Sequence, residues 1–208
     1  MDINSIILFP LFIFSVIFHE YAHGFVAQKC GDDTASVMGR LTLNPLKHID
    51  IFGTIILPVL LILSGLQFII GWAKPVPINS SKFKNYKLDI VKVAFAGVAA
   101  NFLLVIFTLF LLLLLKIAGI QNLPLLDICK YAVYINIMLV LFNLIPIMPL
   151  DGSKIFYGIL PMAVRRFMDK MEPFGFIILL VLINIPIFRY IFWSAVTFIS
   201  ESLLRMVV

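Results

Sequence analysis

The sequence predicts an all-α, multi-pass integral membrane protein. It reads as four full transmembrane helices, a re-entrant or interfacial apolar segment that would make five if it spanned, and a C-terminal amphipathic helix. Hydrophobic residues form 62% of the 208 and charged residues only 13%, whereas soluble domains average about 45–50% and about 25%. Long apolar runs such as Phe102 to Leu115 approach the length a helix needs to cross a bilayer, about 20 residues. No water in the hydrocarbon core satisfies backbone amides, and the weak ten-residue alternation of a membrane barrel is not visible, so the spans should be helical. The net charge of +5 lies on basic residues between apolar runs. It fits membrane orientation in a lipid bilayer, not a nucleic-acid partner.

The first helix is expected from about Ile3 to Gln28, ending at Lys29 and the turn formers Gly31-Asp32-Asp33-Thr34. It starts without the positive region or cleavage site of a signal peptide, so it reads as retained. A loop with Gly39-Arg40 and Asn44-Pro45 follows. The second apolar run, Ile51 to Ile70, is interrupted by Pro58, Ser64-Gly65 and Gln67. Gly71 to Pro77 holds two prolines around one residue and reads as an extended interfacial segment. Ser80 to Lys92 is polar and lysine-rich. The third run, Val93 to Leu115, opens on Ala94, Ala96, Gly97, Ala99 and Ala100, small residues that let another membrane helix approach closely. The fourth, Tyr131 to Ile145, ends in Pro146-Ile-Met-Pro149-Leu-Asp151-Gly152, where a helix unwinds at a carboxylate. A basic linker leads to a fifth run from Phe174 to Phe188, broken by Pro186, and Ile191 to Met206 reads as the interfacial amphipathic helix. Cys30 and Cys129 are too few for a disulfide framework and read as small buried apolar residues. Nothing divides the chain, so residues 1–208 read as a single domain.

His19-Glu20-Tyr21-Ala22-His23 carries the chemistry. Residues four apart on a helix share a face, so two imidazoles can grip one ion. Zinc suits neutral imidazole, and a catalytic site takes three protein ligands with the fourth position left to water, whose pKa falls to about 7. Glu20, beside the pair, is the expected general base. With three histidines and three glutamates in the chain, the motif is hard to ascribe to chance. Ionisable groups at membrane depth also cost about 2.5–3.5 kcal/mol each on insertion scales, and a metal offsets that cost. The blander alternative is a polar cluster between helices. Asp151 is the best third ligand: the other aspartates lie in aqueous or interfacial segments, whereas Asp151 terminates an apolar helix. Its alternative role is a helix N-cap. His48, in a polar loop, is a poor fourth ligand.

His19-Glu-x-x-His23 together with Asn143-x-x-Pro146-x-x-Pro149-Leu150-Asp151-Gly152 resembles the two signature motifs of the site-2 proteases. Gly39-Arg40-Leu-Thr-Leu-Asn-Pro-Leu-Lys-His-Ile-Asp50 and Gly71-Trp-Ala-Lys-Pro-Val-Pro77 resemble the compact prokaryotic branch of that family, without a PDZ or CBS domain. One departure is Ala96-Gly97-Val98, where the family often has Pro after the Gly. The resemblance implies a metalloendopeptidase with one Zn2+ per chain in a prokaryotic cytoplasmic membrane, cleaving transmembrane protein substrates by regulated intramembrane proteolysis. It implies that Asn143 binds substrate backbone or stabilises the oxyanion. Two other readings stay open, a metal-ion transporter and a non-catalytic zinc-bound membrane protein. An unwound substrate could pair by strand addition along Pro75-Val76-Pro77 or Gly39 to Leu43.

Three ligands at one depth require the first helix and the run from Tyr131 to be parallel, so one of the two intervening runs cannot cross. If Ile51 to Ile70 is re-entrant, twelve of the sixteen basic residues are cytoplasmic, with the active site on that side; if it spans, only seven are. The positive-inside rule favours the first arrangement.

Overall fold

The computed structural model describes residues 3–56, 59–60, 63–64, 73–157 and 160–207. Among these residues the protein is all-helical, with no strand. The helices are α1 (Ile3–Lys29), α2 (Thr34–Val37), α3 (Tyr86–Ile117), α4 (Leu123–Asn143), α5 (Asp151–Tyr157), α6 (Met162–Met171), α7 (Gly175–Asn184) and α8 (Pro186–Arg205). Most of the second apolar run beyond residue 56, and Gly71 and Trp72 after it, lie outside the described residues; Ile51–Ile56 forms one π-helical turn.

Four helices are long and apolar enough to cross a membrane: α1 from Leu8, α3, α4 and α8. The expected number holds among the described residues, but the fourth member does not. The run from Phe174 yields α7, ten residues long and so only about 15 Å. Ile185 is extended, at φ −72° and ψ 118°, and Pro186, which has no N–H to donate, starts a new helix of twenty residues. The segment expected to be a C-terminal amphipathic helix is therefore most of a candidate span. Its two C-terminal charges pair with each other, Arg205 Nη2 to Glu201 Oε2 at 3.3 Å.

The starts of α3 and α4 also come earlier than the apolar runs suggest. Asn85 accepts the Leu88 N–H and Asn122 the Leu125 N–H. Each cap satisfies an otherwise orphaned donor and extends the helix into polar sequence. Asp89 in the first turn of α3 sits at the positive end of the helix dipole and pairs with Lys92 at 2.8 Å. At 32 residues α3 is about 48 Å long, so its polar first turns extend beyond a hydrocarbon core of about 30 Å. The basic linker is not a loop either, since it contains α5 and the amphipathic α6.

α3 packs against α1, α4 and α5, and α4 also packs against α8. The apolar centre joins Val105 and Leu112 of α3, Val133 and Ile137 of α4, and Val196 of α8, each at most 2% exposed. The outward faces carry Phe102, Phe107 and Phe110, consistent with a surface solvated by lipid. Polar pairs fix the helix directions. Ser15 meets Asn136, and His19 and His23 further along α1 meet Asp151 beyond the end of α4, so α1 and α4 run parallel; His19 meets Asn101 and His23 meets Val93, so α3 runs against both. Phe142 packs edge-on to Phe192, while Cys129 and Leu204 share the far end of the core, so α8 is antiparallel to α4.

Candidate active site

His19 and His23 lie one turn apart on α1, and their Nε2 atoms are 2.9 Å apart. Oδ2 of Asp151, the first residue of α5, lies 3.1 Å from each. All three residues are buried. Their outer contacts set the chemistry. Nδ1 of His19 is 2.7 Å from the Asn101 Oδ1, and Nδ1 of His23 is 2.7 Å from the Val93 carbonyl oxygen. Both partners only accept, so each Nδ1 carries a proton, and the neutral imidazole that binds a metal would turn a bare Nε2 lone pair inward. Asp151 adds a carboxylate oxygen that accepts no hydrogen bond. Three converging acceptors repel one another unless a cation lies among them. Ligand atoms on tetrahedral zinc at about 2.0–2.1 Å are spaced by about 3.3 Å, close to the separations here. The residues fit the ion.

Helix ends and broken backbone bring these groups together. After Asn143 the chain leaves α4 and folds back through Ile147 N to the Ile145 carbonyl and Leu150 N to the Ile147 carbonyl. Ser153, wholly buried, returns its hydroxyl to the Leu150 carbonyl at 2.6 Å. At Gly152 a Cβ would strike the Leu144 carbonyl oxygen, which explains the glycine after Asp151. The N-cap alternative for Asp151 has no support at Oδ2, which faces the histidines.

Sequence reasoning missed the groups that orient the ligands. Asn101 turns Oδ1 to His19 while its Nδ2 donates to the Ser15 carbonyl and to Asn136 Oδ1, and Asn136 in turn donates to Ser15 Oγ. Such partners of a ligating histidine fix its tautomer and ring orientation. An amide inside each of two apolar runs was the available signal, given its cost at membrane depth. Gly97, counted only among small residues, has a sharper role: a Cβ there would run into His23 Nε2 and come within 2.5 Å of His19 Cε1. Gly97→Ala should therefore lower bound zinc well below one per chain by elemental analysis while the helical circular dichroism stays intact. Full zinc occupancy in that variant would contradict the packing described here.

Glu20 Oε2 accepts the Val76 N–H at 2.8 Å. His19, Glu20, His23, Asp151 and Asn143 all line one cavity of about 930 Å3, with walls from Ile78, Phe83, Ile90 and Phe176. Asn143 ends α4 and donates Nδ2 to the Leu139 carbonyl. His48 is not with them. It is 2% exposed, not loosely solvated, and its Nε2 lies 2.8 Å from the Thr42 carbonyl oxygen. The 74–77 backbone offers a substrate little for strand addition: the Lys74 and Val76 N–H groups are taken by the His48 carbonyl and Glu20, and the two prolines have none.

Membrane-length helices around a His-His-Asp group that could hold a metal ion, beside a glutamate, fit a membrane metalloenzyme. Residues 114–185 match the profile of peptidase family M50. YwhC of Bacillus subtilis (strain 168), named as a zinc metalloprotease, is 40% identical over 199 residues, covering 93% of this chain and 87% of that protein. Rip2 of Mycolicibacterium smegmatis (strain ATCC 700084 / mc(2)155), also named as a zinc metalloprotease, is 29% identical over 187 residues, covering 87% of this chain and 70% of that protein. No solved structure matches at a significant level. The chain belongs to peptidase family M50, the site-2 proteases, and is a zinc metalloprotease of the membrane.

Proposed function

We propose that this protease hydrolyses peptide bonds within or beside transmembrane segments of other membrane proteins, as in regulated intramembrane proteolysis, and that residues 1–208 act as one domain in doing so. The observation that carries this reading is the convergence of three metal-ligand atoms on a cavity walled by candidate membrane spans. His19, His23 and Asp151 hold the zinc, which supplies Lewis acidity and brings a water's pKa to about 7. Glu20 takes a proton from the attacking water and returns it to the amide nitrogen as the C–N bond breaks, and the water's second proton passes from the new carboxyl to the new amine, leaving a carboxylate and an ammonium. Asn143, on the cavity wall, binds the substrate's backbone or the developing oxyanion. A helical substrate must unwind first, because its carbonyls are already hydrogen-bonded. The apolar walls then accept side chains from an extended segment.

The test uses purified, zinc-loaded protein and single-span reporters with a tag at each end. Mass spectrometry should place the cuts inside or next to the apolar segment. Cuts confined to the distant soluble flanks would contradict the proposal.

The site is proposed to face the cytoplasm, with the N-terminus outside and the run from Ile51 a re-entrant one. The Lys74 N–H donates to the His48 carbonyl at 2.8 Å, which supports this reading by bringing the two ends of that run to one level. α1, α3, α4 and α8 then cross alternately. Arg189, near the N-terminal end of α8, joins the cytoplasmic set, so thirteen of the sixteen basic residues lie there, leaving Lys116, Lys130 and Arg205 outside. That is a stronger bias than sequence alone indicated. Single cysteines at Ser81 and Asn122, in a background lacking Cys30 and Cys129, should label from opposite sides with an impermeant reagent. Exterior labelling of position 81 in intact cells would reverse the assignment.

A further inference from the structure

We infer that Arg40 is a positioning residue for hydrolysis: its guanidinium fixes the Pro75–Val76 peptide so that the Val76 N–H holds Glu20 at the cavity wall. The inference rests on the reading of Glu20 as proton acceptor. Arg40 is 9% exposed, and its Nη2 donates to the Lys74 carbonyl at 2.9 Å and the Pro75 carbonyl at 3.1 Å. The Pro75 carbonyl and the Val76 N–H belong to one amide plane. That plane is rigid, so fixing its oxygen also fixes the direction of its hydrogen. The hydrogen meets Glu20 Oε2 at 2.8 Å, leaving Oε1 without a hydrogen bond among the described residues. Cation, amide dipole and carboxylate therefore lie in series, the arrangement in which each charge strengthens the next hydrogen bond.

The surrounding sequence removes the remaining freedom. Pro75 and Pro77 lock their own φ angles, and Pro77 confines Val76 to extended backbone. The Lys74 N–H is held by the His48 carbonyl, and the His48 ring by the Thr42 carbonyl. Two sequence motifs that metal binding leaves unexplained, Gly39 to Asp50 and residues 73–77 of the second, thus meet in one device. Arg40 suits it because the two N–H bonds of its Nη2 lie in the fixed guanidinium plane, one for each carbonyl, whereas the ammonium of lysine rotates freely.

The test compares zinc-loaded wild type with Arg40→Met, Val76→Pro, Val76→Ala and the Arg40→Met/Val76→Pro double variant on a single-span reporter cleaved by the wild type. Glu20→Gln is run in parallel. Val76→Pro deletes the N–H together with the buried valine side chain, while Val76→Ala trims that side chain and keeps the N–H. Arg40→Met and Val76→Pro should each lower kcat by about 100-fold, with KM within about twofold and one zinc per chain, and Val76→Ala, which keeps the N–H, should lose far less than Val76→Pro. The double variant should be no slower than either single one, since both act through one contact. Wild-type kcat in Arg40→Met or Val76→Pro, multiplied losses in the double variant, or zinc loss that accounts for the rate would each overturn the inference. Wild-type kcat in Glu20→Gln would remove the proton-acceptor reading and the inference with it. An inactive Glu20→Gln beside a fully active Arg40→Met would remove the inference alone.

Discussion

Asp151→Ala is expected to leave purified protein with far less than one zinc per chain and cleavage at background. In the native arrangement Oδ2 completes a triangle with two imidazole lone pairs at 3.1 Å. Removing it leaves two neutral ligands and no anion beside a dication, in a buried site where water solvates poorly. The loss should match that of His19→Ala or His23→Ala, because all three atoms face one point. Asp151→Asn is the informative companion. It preserves shape and one oxygen but removes the charge, so it should also bind zinc weakly. The Asp151 side chain serves no helix cap, so α5 should persist and the variants should elute as folded protein. Elemental analysis alongside size-exclusion chromatography separates metal loss from unfolding. Undiminished zinc in Asp151→Ala would remove Asp151 from the ligand set.

The pairing of His19 with His23 was legible in the sequence because its geometry is local. Four residues along a helix place His19 and His23 on one face whatever the rest of the chain does. Asp151 could be singled out because the prolines at 146 and 149 mark where an apolar helix must break. Element boundaries were less legible: apolarity reports which residues lipid tolerates, while helix starts are set by caps at Asn85 and Asn122, in polar sequence that hydropathy ignores. The run from Phe174 was misassigned as a span because Pro186 does not merely interrupt it but starts a separate helix after the extended Ile185. Hidden altogether were partnerships across large separations. Asn101 meets His19 across 82 positions, Asn136 meets Ser15 across 121, and Val76 meets Glu20 across 56. No periodicity encodes such pairs. Gly97 was visible as a small residue, but its role against the imidazoles needed the packing of α3 on α1.

Glu20→Gln separates binding from chemistry more cleanly than any ligand substitution. Glutamine keeps the length of the side chain and an oxygen to accept the Val76 N–H, yet it cannot take a proton at neutral pH. His19, His23 and Asp151 keep their arrangement, so zinc should remain. General acid–base contributions of about 10²- to 10⁴-fold are typical, and the proposed mechanism gives proton uptake from water and its return to the leaving nitrogen to one group, so cleavage should drop below detection. The decisive measurement is paired: zinc per chain by elemental analysis and reporter cleavage on the same Glu20→Gln preparation. About one zinc per chain with no cleavage is the expected result; cleavage at the wild-type rate, or zinc lost while activity persists, would contradict the roles assigned to this site.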